Sequence, residues 1–341
     1  MKMTRRDFLK SSLAGAVVAA TAGALSACGE SNSGDQGSSQ KTLKLSHTLA
    51  EDHAVHIAMT AFAKAVEEAT NGEVKIQIFA NGTLGNEVDN IASMKAGTLD
   101  MAKVSAATLG NYYEKWNAMS VPYVFNNKDH FFKVMDSQVI EDLYMETAGD
   151  GYVGLTWLDS GSRSFYTKST PIHTPADLKG LKIRTMDSQM AIDMMTALGG
   201  SSVPLGYGDI YNSLQTGVID GAENNPTALR DHGEVAKFYS YDEHTIIPDI
   251  VLISTKAWNS LTEDQQKAIK KAAADMKEDY KVQWKAFEDE VIDRAVNEMG
   301  VTMVTDVDKQ AFVDACASIY ENVKKDSPDT YALIEAIRGI E

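Results

Sequence analysis

Two periods of apolar residues alternate along this chain, and the switches between them mark out its elements. Leu43 and Leu45 alternate with Lys44 and Ser46, which predicts a strand over 43–46 with His47 and Thr48 at its carboxyl end. Val55, Met59, Phe62 and Val66 then recur at helical spacing, behind Asp52 as a cap and ahead of Asn71-Gly72 as a stop. Residues 74–78 alternate again and run into the turn-rich stretch 81–85. Strand, helix, strand and helix in this order predict a largely parallel sheet with crossover helices. Residues 151–159 read as a strand leaving this first unit, followed by Ser160, Gly161, Ser162 and Arg163. Thr174 and Pro175 open a helical turn. A strand over 181–185 delivers Arg184 at its carboxyl end, helices follow at 188–198 and 209–216, and a strand over 218–222 delivers Glu223 and Asn224.

An internal echo organises these pieces. Residues 93–103 read Ser-Met-Lys-Ala-Gly-Thr-Leu-Asp-Met-Ala-Lys, and residues 213–223 read Ser-Leu-Gln-Thr-Gly-Val-Ile-Asp-Gly-Ala-Glu. Ser, Gly, Asp and Ala coincide, the apolar positions agree, and Asp89 and Asp209 stand equivalently upstream. Each copy reads helix, Gly stop, strand, so the chain is expected to build two similar α/β lobes that present strand ends to a shared cleft. Crossings between lobes near Ser160 and Pro248 would together form a hinge. Thr262 and Gln265 make a capping box. Behind it Ile269, Ala273, Met276, Tyr280, Trp284, Phe287, Val291 and Ala295 hold helical spacing until Gly300. That helix would reach about 55 Å at 1.5 Å per residue, enough to back both lobes, and its aromatic stripe favours packing on a sheet over a coiled coil.

The 341 residues allow about two domains, and 44% hydrophobic with 23% charged residues is ordinary for a globular chain. Thr4-Arg5-Arg6-Asp7-Phe8-Leu9-Lys10 ahead of the apolar run 13–25 resembles a twin-arginine export signal, and Leu25-Ser26-Ala27-Cys28 resembles a lipobox. Residues 1–27 are thus expected to be a removable leader, Cys28 a lipidated amino terminus, and 28–40 a flexible tether of roughly 20 Å reach. The expected location is outside the cytoplasm, in the periplasm or on the outer face of the cell membrane. Without the leader, 28 basic and 47 acidic residues remain, a net charge of −19 that repels nucleic acid. Cys316 is then left without a partner, which excludes a disulfide framework. Five Arg remain, and Arg is the side chain suited to bidentate carboxylate capture. The chain has no Gly-x-Ser-x-Gly elbow, His-Glu-x-x-His, Cys-x-x-Cys or Gly-rich phosphate loop, so an enzyme, a cofactor and a metal are not expected.

Several segments together resemble a known family. They are the Gly-Thr-Leu-Gly-Asn-Glu run from Gly82, Ser-Met-Lys-Ala-Gly-Thr-Leu-Asp from Ser93, Pro-Ala-Asp-Leu-Lys-Gly-Leu-Lys-Ile-Arg from Pro175, Leu-Gln-Thr-Gly-Val-Ile-Asp-Gly-Ala-Glu-Asn from Leu214, and Leu-Thr-Glu-Asp-Gln-Gln from Leu261. The chain resembles, from about Leu43 to about Phe312, the extracytoplasmic solute receptor of tripartite ATP-independent periplasmic (TRAP) transporters, dicarboxylate-type branch. The resemblance implies a periplasmic-binding-protein-like clamshell that closes over an organic anion and delivers it to membrane subunits. The expected division is lobe I over 41–160 plus 249–288 and lobe II over 161–248 plus 289–341. Arg184 matches the family's main carboxylate-binding Arg, Arg163 its frequent second, and Asn224 the residue that orients the carboxylate. Glu87 and the pair His47 and Thr48 match first-lobe positions that contact the rest of the ligand. Glu223 joins the ligand-binding set from the same strand end as Asn224, although alternation points it away, toward the core edge. The far end offers a carboxylate in Glu87 and no evident cation, which suits hydroxyls better than a second carboxylate. The stretch Arg-Thr-Met-Asp-Ser-Gln from Arg184, with Gly-Ala-Glu-Asn-Asn from Gly221, also looks more like the sugar-acid-binding members. A sugar acid such as glucuronate or galacturonate is therefore the expected ligand, with a C4-dicarboxylate as the alternative and an exported lipoprotein enzyme as the rival class.

Overall fold

The structure is a computed structural model that describes residues 40–341. The leader, Cys28 and all of the tether except Gln40 lie outside the described residues. Eleven strands form among the described residues. In chain order they are β1 (Lys41–Ser46), β2 (Val74–Phe79), β3 (Met101–Ser105), β4 (Tyr152–Leu158), β5 (Ser162–Thr167), β6 (Lys182–Thr185), β7 (Ser201–Pro204), β8 (Gly221–Asn224), β9 (Phe238–Ile246), β10 (Asp249–Ser254) and β11 (Thr302–Val304). They make two sheets, ordered β2-β1-β3-β10-β4 and β11-β9-β5-β8-β6-β7. Parallel pairs β1 with β3 and β6 with β8 sit at the heart of the respective sheets. The two-lobed α/β architecture thus follows from repeating one crossover unit.

The echo has a structural counterpart. In the first lobe the Lys44 N–H donates to Asp100 Oδ2 at 2.9 Å, and in the second the Lys182 N–H donates to Asp220 Oδ2 at 2.9 Å. Each Asp follows the Gly stop of its helix and ties the incoming strand to the neighbouring one. Gly97 and Gly217 adopt φ +70° and +77°, a left-handed turn that a residue with Cβ enters at a cost of about 1–2 kcal/mol.

Three local expectations change. The helix Ala54–Ala69 is capped by His53, whose Nδ1 accepts the Val55 N–H at 3.1 Å. Asp52 is freed by this and pairs across the cleft with Arg230. The strand expected over 218–222 pairs over Gly221–Asn224 instead, because the turn after Gly217 still holds Ile219, whose N–H donates to Ser213 O at 3.2 Å. The last helix, Pro328–Arg338, expected in the second lobe, packs on the turn Glu114–Ser120 and the helix Gln138–Thr147 of the first. His130 Nε2 lies 3.0 Å from the Ile337 carbonyl there.

One helix serves both lobes. It runs from Glu263 to Asn297, 35 residues, behind the Thr262 and Gln265 capping box. Ile269, Ala273, Met276, Tyr280 and Trp284 pack in one core with Leu43, Leu45 and Phe62, whereas Val291 and Ala295 pack in another with Tyr166, Leu214 and Tyr239. Two further crossings lie between β4 and β5 and between β9 and β10. They are joined where the Ser160 hydroxyl donates to the Ile247 carbonyl at 2.5 Å. Next to it Gly161 has φ +68°, and a Cβ there would stand 2.9 Å from Glu288 Oε1 and 3.2 Å from Asn225 Cβ. Gly161→Ala is therefore expected to destabilise the fold by about 1–2 kcal/mol. Urea unfolding checks this, with a lower midpoint at unchanged slope as the expected outcome.

Candidate ligand-binding site

A cleft of about 920 Å³, open solvent at its mouth included, lies between the two sheets and takes its walls from both. Arg184, Arg163 and Asn224 line it from the second lobe, and Thr48 and Glu87 line it from the first. The second-lobe trio converges because β6 and β5 flank β8, with Arg184 beside Ala222 and Ser164 opposite Asn224.

The two arginines differ in their electrostatics. Arg163 is 5% exposed; its Nε donates to Glu223 Oε2 at 2.6 Å, its Nη2 to the Glu223 carbonyl at 2.7 Å and its Nη1 to Asn224 Oδ1 at 2.6 Å. Burial works against the charge of Arg163, but the Glu223 carboxylate outweighs it and raises the pKa. Arg184 is 4% exposed; its Nε and Nη2 both donate to the Leu205 carbonyl, at 2.8 and 2.6 Å. No carboxylate among the described residues lies within ion-pair distance of it, and burial draws its pKa down. It keeps its proton, since a guanidinium starts so far above neutral pH. The cleft therefore presents a desolvated cation without a counter-ion. Asn224 Oδ1 also accepts the Asn225 N–H at 2.9 Å, so its amide NH₂ is left without a partner among the described residues.

Two expected contacts stand behind the wall. Glu223, 2% exposed, is not a lining residue; it is the counter-charge of Arg163. Because β8 extends through residue 224, alternation turns Glu223 away from Asn224. His47 is fully buried. Its Nδ1 accepts the Leu49 N–H at 3.2 Å and its Nε2 lies 3.0 Å from His56 Nδ1. Burial, with Lys103 and His56 nearby, lowers its pKa to about 3, so it is neutral. Thr48, the next residue, reaches the cleft in its place.

The first lobe also supplies a cation that sequence reasoning missed. Lys103 lines the cleft at 4% exposure, its Nζ 3.3 Å from Glu87 Oε1 and 3.0 Å from Asp249 Oδ1. Burial opposes its charge, but Asp249 and Glu87 together raise its pKa. Glu87 Oε2 accepts the Thr108 hydroxyl at 2.8 Å. The signal was present in the echo, where Lys103 takes the place of Glu223. Its partner Asp249 comes from β10, which no local pattern ties to β3. Among the described residues, no group of three or more His, Cys, Asp or Glu gathers as a metal site.

Residues 45–326 match the family described as Bacterial extracellular solute-binding protein, family 7. The chain belongs to this family. Residues 2–22 match the TAT (twin-arginine translocation) pathway signal sequence, so it is an exported, periplasmic protein. The 2,3-diketo-L-gulonate-binding periplasmic protein YiaO of Escherichia coli is 30% identical over 304 residues, covering 88% of this chain and 92% of its own. A TRAP periplasmic solute binding protein from Anaerococcus prevotii, solved with bound D-glucuronate, superposes with a TM-score of 0.85 at 34% identity, covering 88% of this chain and 97% of that one. Another, from a Sulfitobacter species with bound β-D-galacturonate, gives a TM-score of 0.85 at 33% identity over 87% and 99%. The protein is a TRAP solute receptor with the two-lobed clamshell of its relatives.

In this TRAP receptor a buried chain of charges holds Arg163. His244 is fully buried, with Nδ1 2.6 Å from Asp242 Oδ2 and Nε2 3.4 Å from Glu223 Oε2. Burial alone would keep the imidazole neutral, but Asp242 and Glu223 raise its pKa to about 9. Burial also opposes the Glu223 charge, while Arg163 and His244 bring that pKa down to about 2. The His244 pKa rises from 6.5 on folding, so its stabilisation is complete below that value and disappears as pH rises through about 9. The Glu223 contribution is complete above 4.5 and disappears as pH falls toward about 2. His244→Gln is expected to lose most stability relative to the parent at pH 6, and the gap should close by about pH 10. Urea unfolding of both proteins across that range checks it.

Proposed function

We propose that this receptor captures a hexuronate, D-glucuronate or D-galacturonate, by its carboxylate and hands it to the membrane subunits of a TRAP transporter. The single observation that carries the reading is Arg184, a buried guanidinium with two N–H groups on one carbonyl and no counter-ion among the described residues. A ligand carboxylate supplies that counter-ion, with Arg163 beside it and the free amide of Asn224 as a further donor. Thr48, Glu87, Ser105 and Thr108 on the opposite wall offer donors and acceptors suited to hydroxyls. The uronates bound by the solved relatives support the same class. A C4-dicarboxylate is the second reading, favoured by Lys103 as a cation on the first-lobe side. The receptor releases its ligand chemically unchanged, as a solute-binding protein rather than an enzyme.

Closure over the ligand should raise stability by RT ln(1 + [L]/Kd), about 2.7 kcal/mol at a hundredfold excess over Kd. Arg184→Ala is expected to abolish this gain, and Arg184→Lys to leave it unrestored because an ammonium lacks the planar fork. Arg163→Ala acts differently: it leaves Glu223 buried without its main partner and should cost about 3–5 kcal/mol of fold stability besides weakening binding. Calorimetry and thermal unfolding with glucuronate, galacturonate, succinate and malate check these outcomes. Tight succinate or malate binding without a response to uronates would overturn the hexuronate reading.

The receptor is further proposed to be tethered through an acylated Cys28, on the strength of the Leu-Ser-Ala-Cys sequence at 25–28. Cys28→Ala should move the exported protein from the membrane fraction to the soluble fraction with ligand affinity unchanged. A parent protein that is wholly soluble after export, with no diacylglycerol mass on its first residue, would overturn the tether.

A further inference from the structure

The first-lobe end of the cleft holds a cation whose charge is already used. Lys103 is 4% exposed, and Glu87 at 3.3 Å and Asp249 at 3.0 Å engage two of its three N–H groups. Glu87 is itself engaged on its second oxygen by the Thr108 hydroxyl at 2.8 Å, and it starts the helix Glu87–Lys95, whose amino terminus favours negative charge. Two acids therefore hold one lysine. His53, the remaining titratable group of this wall, has its pKa lowered to about 3, chiefly by burial, and contributes no positive charge at neutral pH. An anion arriving here meets an ammonium shared by two carboxylates, whereas a hydroxyl finds both a donor and acceptors.

We infer that the cluster of Lys103 with Glu87 and Asp249 determines specificity, the masked ammonium and its two carboxylates making the first-lobe end read hydroxyls and reject a second carboxylate. The inference rests on the hexuronate reading and sharpens it: the receptor takes six-carbon acids with one carboxylate and excludes the hexarates, which carry one at each end. Arg184 sets that a carboxylate binds; the Lys103 cluster sets that only one does. The third N–H of Lys103 is left for a sugar oxygen.

Calorimetry on the purified receptor tests this with D-glucuronate, D-galacturonate and the two corresponding hexarates. The parent protein is expected to bind the uronates and give no binding heat with the hexarates. Glu87→Gln keeps the shape and removes one negative charge; its amide oxygen still accepts from Lys103, while the Thr108 hydroxyl turns to accept from the amide NH₂. It should weaken uronate binding about tenfold, as expected for a charge-assisted hydrogen bond made neutral, and admit a hexarate. Glu87→Gln with Asp249→Asn should strengthen the hexarate further, and Lys103→Met should weaken uronates without admitting hexarates. A parent receptor that binds uronates and hexarates alike overturns the role of the Lys103 cluster and leaves the hexuronate reading standing. So does failure of Glu87→Gln to gain hexarate binding. A parent receptor that binds no uronate removes the hexuronate reading and this inference with it.

Discussion

The structure depends on a charge that the protein leaves unpaired. Arg184 is taken out of water by the walls of the cleft and receives two carbonyl contacts in place of a carboxylate. Removing an ion from water costs several kcal/mol unless a partner restores it. Arg163 shows what full compensation looks like on the same sheet, since Glu223 meets it with both a carboxylate oxygen and a carbonyl. The contrast separates their roles. Arg163 is a fixed part of the wall, and on the reading proposed above an anion from outside supplies the counter-charge of Arg184. Closure without ligand would then bury an uncompensated cation, so the electrostatics of one residue would couple lobe motion to occupancy.

That coupling needs a rigid wall on each side and a narrow connection between them. The wall is rigid because Arg163, Glu223, Asn224, His244 and Asp242 form one hydrogen-bonded chain across β5, β8 and β9. The connection is narrow because residues 159–161 and 247–248 cross beside each other, joined by the Ser160 hydroxyl. The long helix constrains the direction of movement. Its first half is buried in the first lobe and its last turns in the second, with Phe287 packed against both cores. The helix passes from one core to the other between Trp284 and Val291, level with Gly161, whose missing Cβ leaves room for Glu288 and Trp284.

What could be read from the sequence was what is decided locally. The Gly stops, the capping box at Thr262, the alternation in β1, β2 and β6 and the echoed units are set by residues within a few positions of one another. They carried the fold and brought Arg184, Arg163 and Asn224 to one place. What escaped was decided by partners far along the chain. His53 displaced Asp52 as a cap because an imidazole nitrogen reached the Val55 N–H and Asp52 found Arg230, 178 residues on. The echo marked Lys103 as the counterpart of Glu223 but could not name its partner Asp249, and the last helix found its surface on a turn some 210 residues upstream. His47 looked like a contact because it matches a first-lobe position of the family, but its ring folded back to the backbone N–H of Leu49.

The two lobes repeat a unit and reverse its charge. Lys103 on β3 stands opposite Val251 of β10, and its partner Asp249 lies two residues earlier on that antiparallel strand. Glu223 on β8 stands opposite Phe165 of β5, and its partner Arg163 likewise lies two residues earlier. The diagonal is the same, with the cation on the repeated strand in one lobe and on its partner in the other. The surroundings then decide what each diagonal shows to the cleft. In the second lobe Arg184 adds an unpaired positive charge beside the neutralised pair, whereas in the first lobe Glu87 adds a negative one. A ligand with one carboxylate and a set of hydroxyls has a single favourable orientation in that field, carboxylate toward β6 and hydroxyls toward β3. The two added charges, Arg184 and Glu87, thus turn a repeated pattern of helix, Gly stop and strand into a polar cleft.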